Sequence, residues 1–272
     1  MYDNYVAIII GIVEGLTEFL PVSSTGHMIL TQELLNITHD DSLLNTFDIV
    51  IQLGAILAVV LVYWNRILSL FGIRVGVQQA KPNQMDLIHI LIGIIPAMAL
   101  AFFFEEKIDT YLFSPYTVLV GLVLGGILLI AAEKIEHSKP LTDDLDNLSY
   151  RQALSIGLWQ IVSLWPGFSR SGSTIAAGML VGTNRKVAAD FTFIMAIPIM
   201  FAASGYKLLT TWDQFTPDSA SFFAIGFLVS FMVALLAVVT FIKLVSKLKL
   251  TYFAYYRFAL AAVFLVYLLV KR

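Results

Sequence analysis

The chain reads as an all-α polytopic membrane protein: six transmembrane helices plus two re-entrant helix hairpins in an inverted-topology repeat. Three observations predict this. Of its 272 residues, 58% are hydrophobic and only 13% charged, against roughly 25% charged in a soluble domain. Six apolar runs approach the ~20 residues that a straight span needs. Two further apolar runs are broken in the middle by Pro, Ser, Thr and Gly.

The six runs are approximately Asp48–Tyr63, Leu87–Phe104, Tyr116–Ala132, Ala188–Tyr206, Phe222–Ile242 and Phe253–Val270. The first is short, and its helix is expected to extend back into Thr46 and Phe47. The interrupted runs are Val6–Leu30, broken at LPVSSTGH, and Ala153–Val181, broken at WPGFSRSGST. Each half is too short to span alone. Irregular backbone at membrane depth survives only inside protein or beside a wet cavity. Both runs are therefore expected to be helix–turn–helix hairpins that leave on the side they entered.

The basic residues orient this scheme. If both hairpins re-enter, the loops around 64–86, 133–152, 182–187 and 243–252 share one face. That face holds eleven basic residues: Arg66, Arg74, Lys81, Lys134, Lys139, Arg151, Arg185, Lys186, Lys243, Lys247 and Lys249. The other holds four, Lys107, Lys207, Lys271 and Arg272. The positive-inside bias makes the first face cytoplasmic and puts both termini outside.

The halves also echo each other. Pro21 and Pro166 sit in matching breaks, with Ser24 and Ser169 three residues after them. A short apolar helix follows each break, then an aromatic–acidic step (Phe47-Asp48; Asp190-Phe191), then two more spans. The expected organisation is one integral membrane domain over 1–272, with repeat one about 1–132, a connector 133–152 and repeat two about 153–272. An inverted repeat of this kind places broken helices tip to tip near the midplane. MYDNYVAIII carries neither a basic leader nor a small-residue cleavage site, so no removable signal peptide is expected. The absence of cysteine excludes disulfides, a thiolate nucleophile and thiolate zinc sites. No basic patch suggests nucleic acid.

Charges inside apolar runs point to function, because each costs about 2.5–3.5 kcal/mol at the bilayer centre. Glu14 and Glu18 lie four apart, on one helix face, between the apolar flanks GIV and FLPV. Two such carboxylates repel in low dielectric unless one is protonated or a cation lies between them. A hard divalent cation, Mg2+ or Ca2+, bound partly through phosphate oxygens, resolves the conflict. A serine or threonine among Ser23, Ser24 and Thr25 is placed to cap the next helix. His27, on the far arm, can fold back toward the acids and act as acid or base.

In PGFSRSGST, Gly167 and Gly172 let the backbone approach a ligand closely. Ser173 or Thr174 is expected to open the following helix, whose N-terminus favours an anion. Arg170 can clamp a phosphate through paired N–H donors. Thr25, Ser169, Ser171, Gly172, Ser173 and Thr174 are the candidate phosphate-binding positions around it. Asp48, Gln52 and Asp190 are expected to support the hairpins through hydrogen bonds. Arg257, beside Tyr255 and Tyr256, reads as a snorkelling residue. Asp143, Asp144 and Asp146 read as a solvated connector, and Phe102, Phe103 and Phe104 as lipid-facing or core.

At EGLTEFLPVSSTGH and PGFSRSGST the chain resembles the undecaprenyl-diphosphate phosphatase, or bacitracin-resistance, family. The likeness extends over nearly the whole length, through FDIVIQLGAILAVV and YRFALAAV. It implies a multi-pass enzyme of the bacterial plasma membrane that removes the terminal phosphate of the C55 isoprenoid diphosphate. The product is the monophosphate carrier recycled for peptidoglycan synthesis. The same resemblance implies functional glutamates at Glu14 and Glu18, a motif serine and histidine at Ser24 and His27, and a phosphate-binding arginine at Arg170. Ser169 and Thr174 fall on supporting motif positions. The partners expected are the isoprenoid diphosphate lipid, the bilayer and a second copy of the chain in a homodimer, with the active site facing outward. Two mechanisms stay open: attack by Ser24 activated by His27, or attack by water with His27 as base or acid. The rival class is a secondary transporter or lipid flippase, since inverted repeats with broken helices are typical of those. A soluble-lipid binding module is a more distant third.

Overall fold

The computed structural model describes residues 2–37, 42–73, 84–112, 114–135, 140–211 and 219–271. Among these residues the chain is helical, without strands; one isolated bridge pairs Thr142 with Thr183. The helices are α1 (Asn4–Thr17), α2 (Ser24–Leu34), α3 (Ser42–Val62), α4 (Trp64–Leu70), α5 (Leu87–Leu112), α6 (Pro115–Lys134), α7 (Tyr150–Gln160), α8 (Arg170–Leu180), α9 (Arg185–Thr210), α10 (Ala220–Leu244) and α11 (Leu250–Lys271). Six of them, α3, α5, α6, α9, α10 and α11, are long and apolar enough to cross a membrane. They contain the six runs read from the sequence, except that α3 stops at Val62, one residue before Tyr63. The chain is a multi-pass membrane protein.

Both interrupted runs are helix–turn–helix pairs, α1–α2 and α7–α8. With 14 residues in α1 and 11 in each of the others, every arm is about 16–21 Å long, short of the ~30 Å hydrocarbon core. The two pairs open at opposite ends of the bundle. The start of α1 packs with Phe47, Phe222 and Phe223, at the beginnings of α3 and α10. The end of α2 meets the end of α11, where Lys271 donates to Glu33 (3.0 Å) and Asn36 (3.3 Å). At the other end, Gln152 of α7 donates to the carbonyl of Val181, just past α8 (3.1 Å).

That second end is where the basic loops gather. Arg66 pairs with Asp146. The Leu141 N–H donates to the Gly182 carbonyl at 2.8 Å. Glu133 accepts from Arg185 (2.7 Å) and from the Leu250 N–H (3.0 Å). These contacts join all four loops that the charge count assigned to one face. Of the basic residues counted there, Arg74, Lys81 and Lys139 lie outside the described residues, as does Arg272 on the other face.

Packing pairs elements of the two halves. The α3 and α9 helices run antiparallel, with Tyr63 after α3 bonded to Asp190 near the start of α9 (2.6 Å). The α6 and α11 helices also run antiparallel: the Leu250 N–H meets Glu133, and Arg257 meets the Leu122 carbonyl (3.1 Å). The first arm of each hairpin lies on a span of the other half, α1 on α10 and α7 on α5. Small residues make both approaches close, the usual device where lipid removes the hydrophobic drive between helices. A Cβ on Gly15 would meet the Ser230 carbonyl at 2.7 Å, and one on Gly157 the Gly93 carbonyl at 2.4 Å. Outward faces are apolar, and Phe102, Phe103 and Phe104 are all exposed on α5.

Candidate active site

The turns of the two hairpins touch. The Ser171 hydroxyl donates to the Leu20 carbonyl at 2.9 Å, and Phe19 packs edge-on against Phe193 of α9. The contact brings the end of α1 to the beginnings of α2 and α8. A helix C-terminus carries partial negative charge and an N-terminus partial positive. The acids therefore sit on the negative end and face two positive ones.

Both turns use the same backbone device. Ser23 precedes α2 with φ 74° and caps it by accepting from the Gly26 N–H at 3.2 Å. Ser169 precedes α8 with φ 76° and accepts from the Gly172 N–H at 3.0 Å. Positive φ in a serine is costly and clusters at functional sites. This geometry corrects two readings. The positions equivalent in structure are Ser23 and Ser169, so Ser24 corresponds to Arg170, not to Ser169. The α8 helix begins at Arg170 rather than at Ser173 or Thr174. Those two hydroxyls bond back to the Arg170 carbonyl, at 3.0 and 2.8 Å, and Thr192 donates to Thr174 at 2.9 Å. All three residues brace the first turn of α8.

The equivalent residues Ser24 and Arg170 converge on one carboxylate. Glu18 is the C-cap of α1, its N–H bonded to the Glu14 carbonyl at 2.9 Å, so the two acids share the last turn. Arg170 Nη2 donates to Glu18 Oε1 at 2.7 Å, and the Ser24 hydroxyl donates to Glu18 Oε2. Arg170 Nη2 also lies 3.5 Å from Met200 Sδ. What remains is informative. Glu14 is fully buried and neither of its oxygens has a partner; Arg170 Nη1 is buried without one as well. Buried polar atoms are almost always satisfied, so the orphaned carboxylate and the orphaned guanidinium nitrogen are the candidate ligand-binding atoms of the site. Glu14 also feels the charges of Glu18, Asp48 and Arg170.

His27 sits elsewhere in the turn. Its Nδ1 lies 2.7 Å from the Ser23 carbonyl and its Nε2 2.7 Å from the Tyr256 hydroxyl. A carbonyl only accepts, so Nδ1 carries the proton and Nε2 of the neutral ring accepts from Tyr256. The side chain that the Ser24 hydroxyl meets is therefore that of Glu18, not His27. Thr25 follows Ser24, and Ser169, Ser171 and Gly172 flank Arg170 along the chain, Thr25 half-buried and the other three buried.

The supporting acids separate. Asp48 accepts from Gln32 at 2.9 and 3.2 Å, tying α3 to α2 beside the acids. Gln52 is half-buried one turn further along α3. Asp190 lies near the opposite end of α3, bonded to Tyr63, in a cleft with Asp143, Asp144 and Lys186. Arg257 does not snorkel: it is fully buried, and its guanidinium meets carbonyls of α6 and of the Pro166–Phe168 turn. Sequence reasoning placed it at the interface because it lies near the start of a span. The same rule that singled out Arg170 would have found it.

Comparison with known proteins places the chain in a family. Residues 7–263 match the family model described as bacitracin resistance protein BacA. The chain is 47% identical to an undecaprenyl-diphosphatase of Bacillus subtilis over 272 residues, covering 98% of both chains. It is 50% identical to an undecaprenyl-diphosphatase of Exiguobacterium sibiricum over 266 residues, covering 96% of both. With a match of this extent over both hairpins, the chain belongs to the bacitracin resistance protein BacA family.

Proposed function

We infer that the chain is an undecaprenyl-diphosphatase, a membrane-embedded hydrolase that converts the isoprenoid diphosphate to its monophosphate and inorganic phosphate. The observation that carries the reading is the convergence of Glu18, Ser24 and Arg170 at three helix ends, with Glu14 and one guanidinium nitrogen left unpartnered. Phosphoryl transfer asks mainly for positioning and charge stabilisation, and this arrangement supplies both. Arg170 Nη1 and the first amides of α2 and α8 receive the phosphoryl oxygens.

Ser24 is the nucleophile this geometry favours, because its hydroxyl already donates to a carboxylate. Its Oγ–P bond forms as the bond from phosphorus to the lipid monophosphate breaks, and Glu18 takes the hydroxyl proton. Water then cleaves the phosphoserine, releasing inorganic phosphate and returning the proton to Ser24. His27 orders the turn beside the nucleophile.

The donor set fits a hard divalent cation, Mg2+ or Ca2+. Glu14 offers two free oxygens, and Glu18 is adjacent. Among the described residues no three His, Asp or Glu converge, so such an ion would draw its other ligands from phosphate oxygens and water, as Mg2+ commonly does. When bound, it neutralises charge on the diphosphate.

The antiparallel pairing of α3 with α9 and α6 with α11 supports an inverted repeat. The opposed openings of the hairpins support re-entry from opposite faces. The basic loops then lie in the cytoplasm, and the diphosphate reaches the site from outside. Protein purified in detergent, with no membrane to cross, should release phosphate from an isoprenoid diphosphate. Failure there, with transport retained in vesicles, would favour the transporter class.

A further inference from the structure

Arg257 is a cation deep in an apolar helix, yet it bonds to carbonyl oxygens, not to a carboxylate. Its Nε donates to Leu122 (3.1 Å), and its Nη2 to Gly121 (3.0 Å), Gly167 (2.7 Å) and Phe168 (2.9 Å). Nη1 is buried without a partner. Burying a charge this way is expensive, and a leucine would fill the space without that cost. Glycines make the slot. A Cβ on Gly125 would meet Nη2 at 2.1 Å, and one on Gly172 would lie 3.4 Å from Nη1. Gly167 lets the turn pass α6 closely: its φ is +90°, and a Cβ there would meet the Val118 carbonyl at 2.2 Å.

The four acceptors belong to two segments, the middle of α6 and the turn that ends in Ser169 and Arg170. The guanidinium thus straps the turn to a rigid span, directly before the serine with positive φ and the arginine that meets Glu18. The preceding residue reaches the other hairpin, since the Tyr256 hydroxyl bonds His27 at 2.7 Å. One step of α11 touches both turns.

We propose that Arg257 is a positioning residue of the phosphatase reaction, holding the Pro166–Ser169 turn on α6 so that Arg170 stays aimed at the phosphoryl group. The inference rests on the reading of Arg170 as the phosphate-binding cation. The Arg257→Lys variant keeps the charge but cannot span four carbonyls. An error of about 1 Å in aim costs on the order of 10²-fold in rate.

The test is a double-mutant cycle on kcat/KM in detergent, normalised to folded protein: wild type, R257K, R170K and the double variant. If Arg257 acts through Arg170, R257K loses about 10²-fold. In the R170K background it should cost less than about threefold more. A purely structural role would multiply the two losses, and that outcome would overturn the proposal, as would near-normal activity of R257K. If R257K does not fold, Gly125→Ala, which pushes the guanidinium from the α6 side, enters the same cycle with the same two outcomes. Near-normal activity of R170K itself would instead remove the reading of Arg170, which the cycle reports separately.

Discussion

Each reactive group in the site is distinguished by the partner it has or lacks. Arg170 spends one nitrogen on Glu18 and keeps the other free. Arg170→Lys retains the charge but cannot do both, so kcat/KM should fall by about 10²-fold while the melting temperature in detergent stays close to wild type. Near-normal turnover would reduce Arg170 to a counter-ion. Glu14 is the converse case, a buried carboxylate with nothing to hold. Glu14→Gln should depress activity and weaken any divalent-cation dependence, yet leave thermal stability in chelator equal or higher, because an orphaned charge is removed. A clear loss of stability in chelator would show that Glu14 has a structural partner. Ser24→Ala should abolish the covalent phosphoserine expected in rapid quench of the wild type. Wild-type turnover with no trapped phosphoserine would return the attack to water. Glu14, Glu18 and Arg170 were legible in the sequence because charge stands out against lipid-soluble surroundings. The partner of His27 was not, because Tyr256 lies 229 residues away and nothing local announces it.

At the scale of elements, broken hydrophobic runs were enough to find both hairpins, since a proline–serine–glycine interruption cannot continue a lipid-exposed helix. The exact start of α8 was not legible. It depends on the left-handed conformation of Ser169, which is a property of the packed turn and not of serine itself. The arms are held by close helix approach rather than by bulk, so stability should track glycine contacts. Gly157→Ala places a methyl 2.4 Å from the Gly93 carbonyl and should cost about 1–3 kcal/mol. Gly205 lies in α9 with nothing within 4 Å of an added Cβ, so Gly205→Ala should be neutral or stabilising by up to about 1 kcal/mol. Thermal unfolding in detergent checks both. Equal melting temperatures for the two variants would mean that the α5–α7 approach does not limit stability.

For the whole molecule, the loops that two re-entering hairpins would put on one face do lie together at one end. Contacts among residues 66, 133, 141, 146, 182, 185 and 250 gather those loops at one end. The side that this end faces is a matter of insertion, and it decides where the diphosphate enters. The α1–α2 hairpin opens at the other end and carries Glu14, Glu18, Ser24 and His27. Thr25, half-buried on the first turn of α2, directly follows Ser24. The chain has no cysteine, so Thr25→Cys gives a single thiol beside Ser24, and Leu141→Cys gives one at the basic end, where Leu141 is 82% exposed. With a membrane-impermeant reagent on intact spheroplasts, the first should label and be protected by a diphosphate analogue, and the second should not. In inverted vesicles Leu141→Cys should label. If Thr25→Cys labelled only in inverted vesicles, the site would open to the cytoplasm, and the basic loops would face outward against the charge rule. If it labelled from both sides, the pocket would alternate as a transporter's does, and hydrolysis would have to be coupled to that motion.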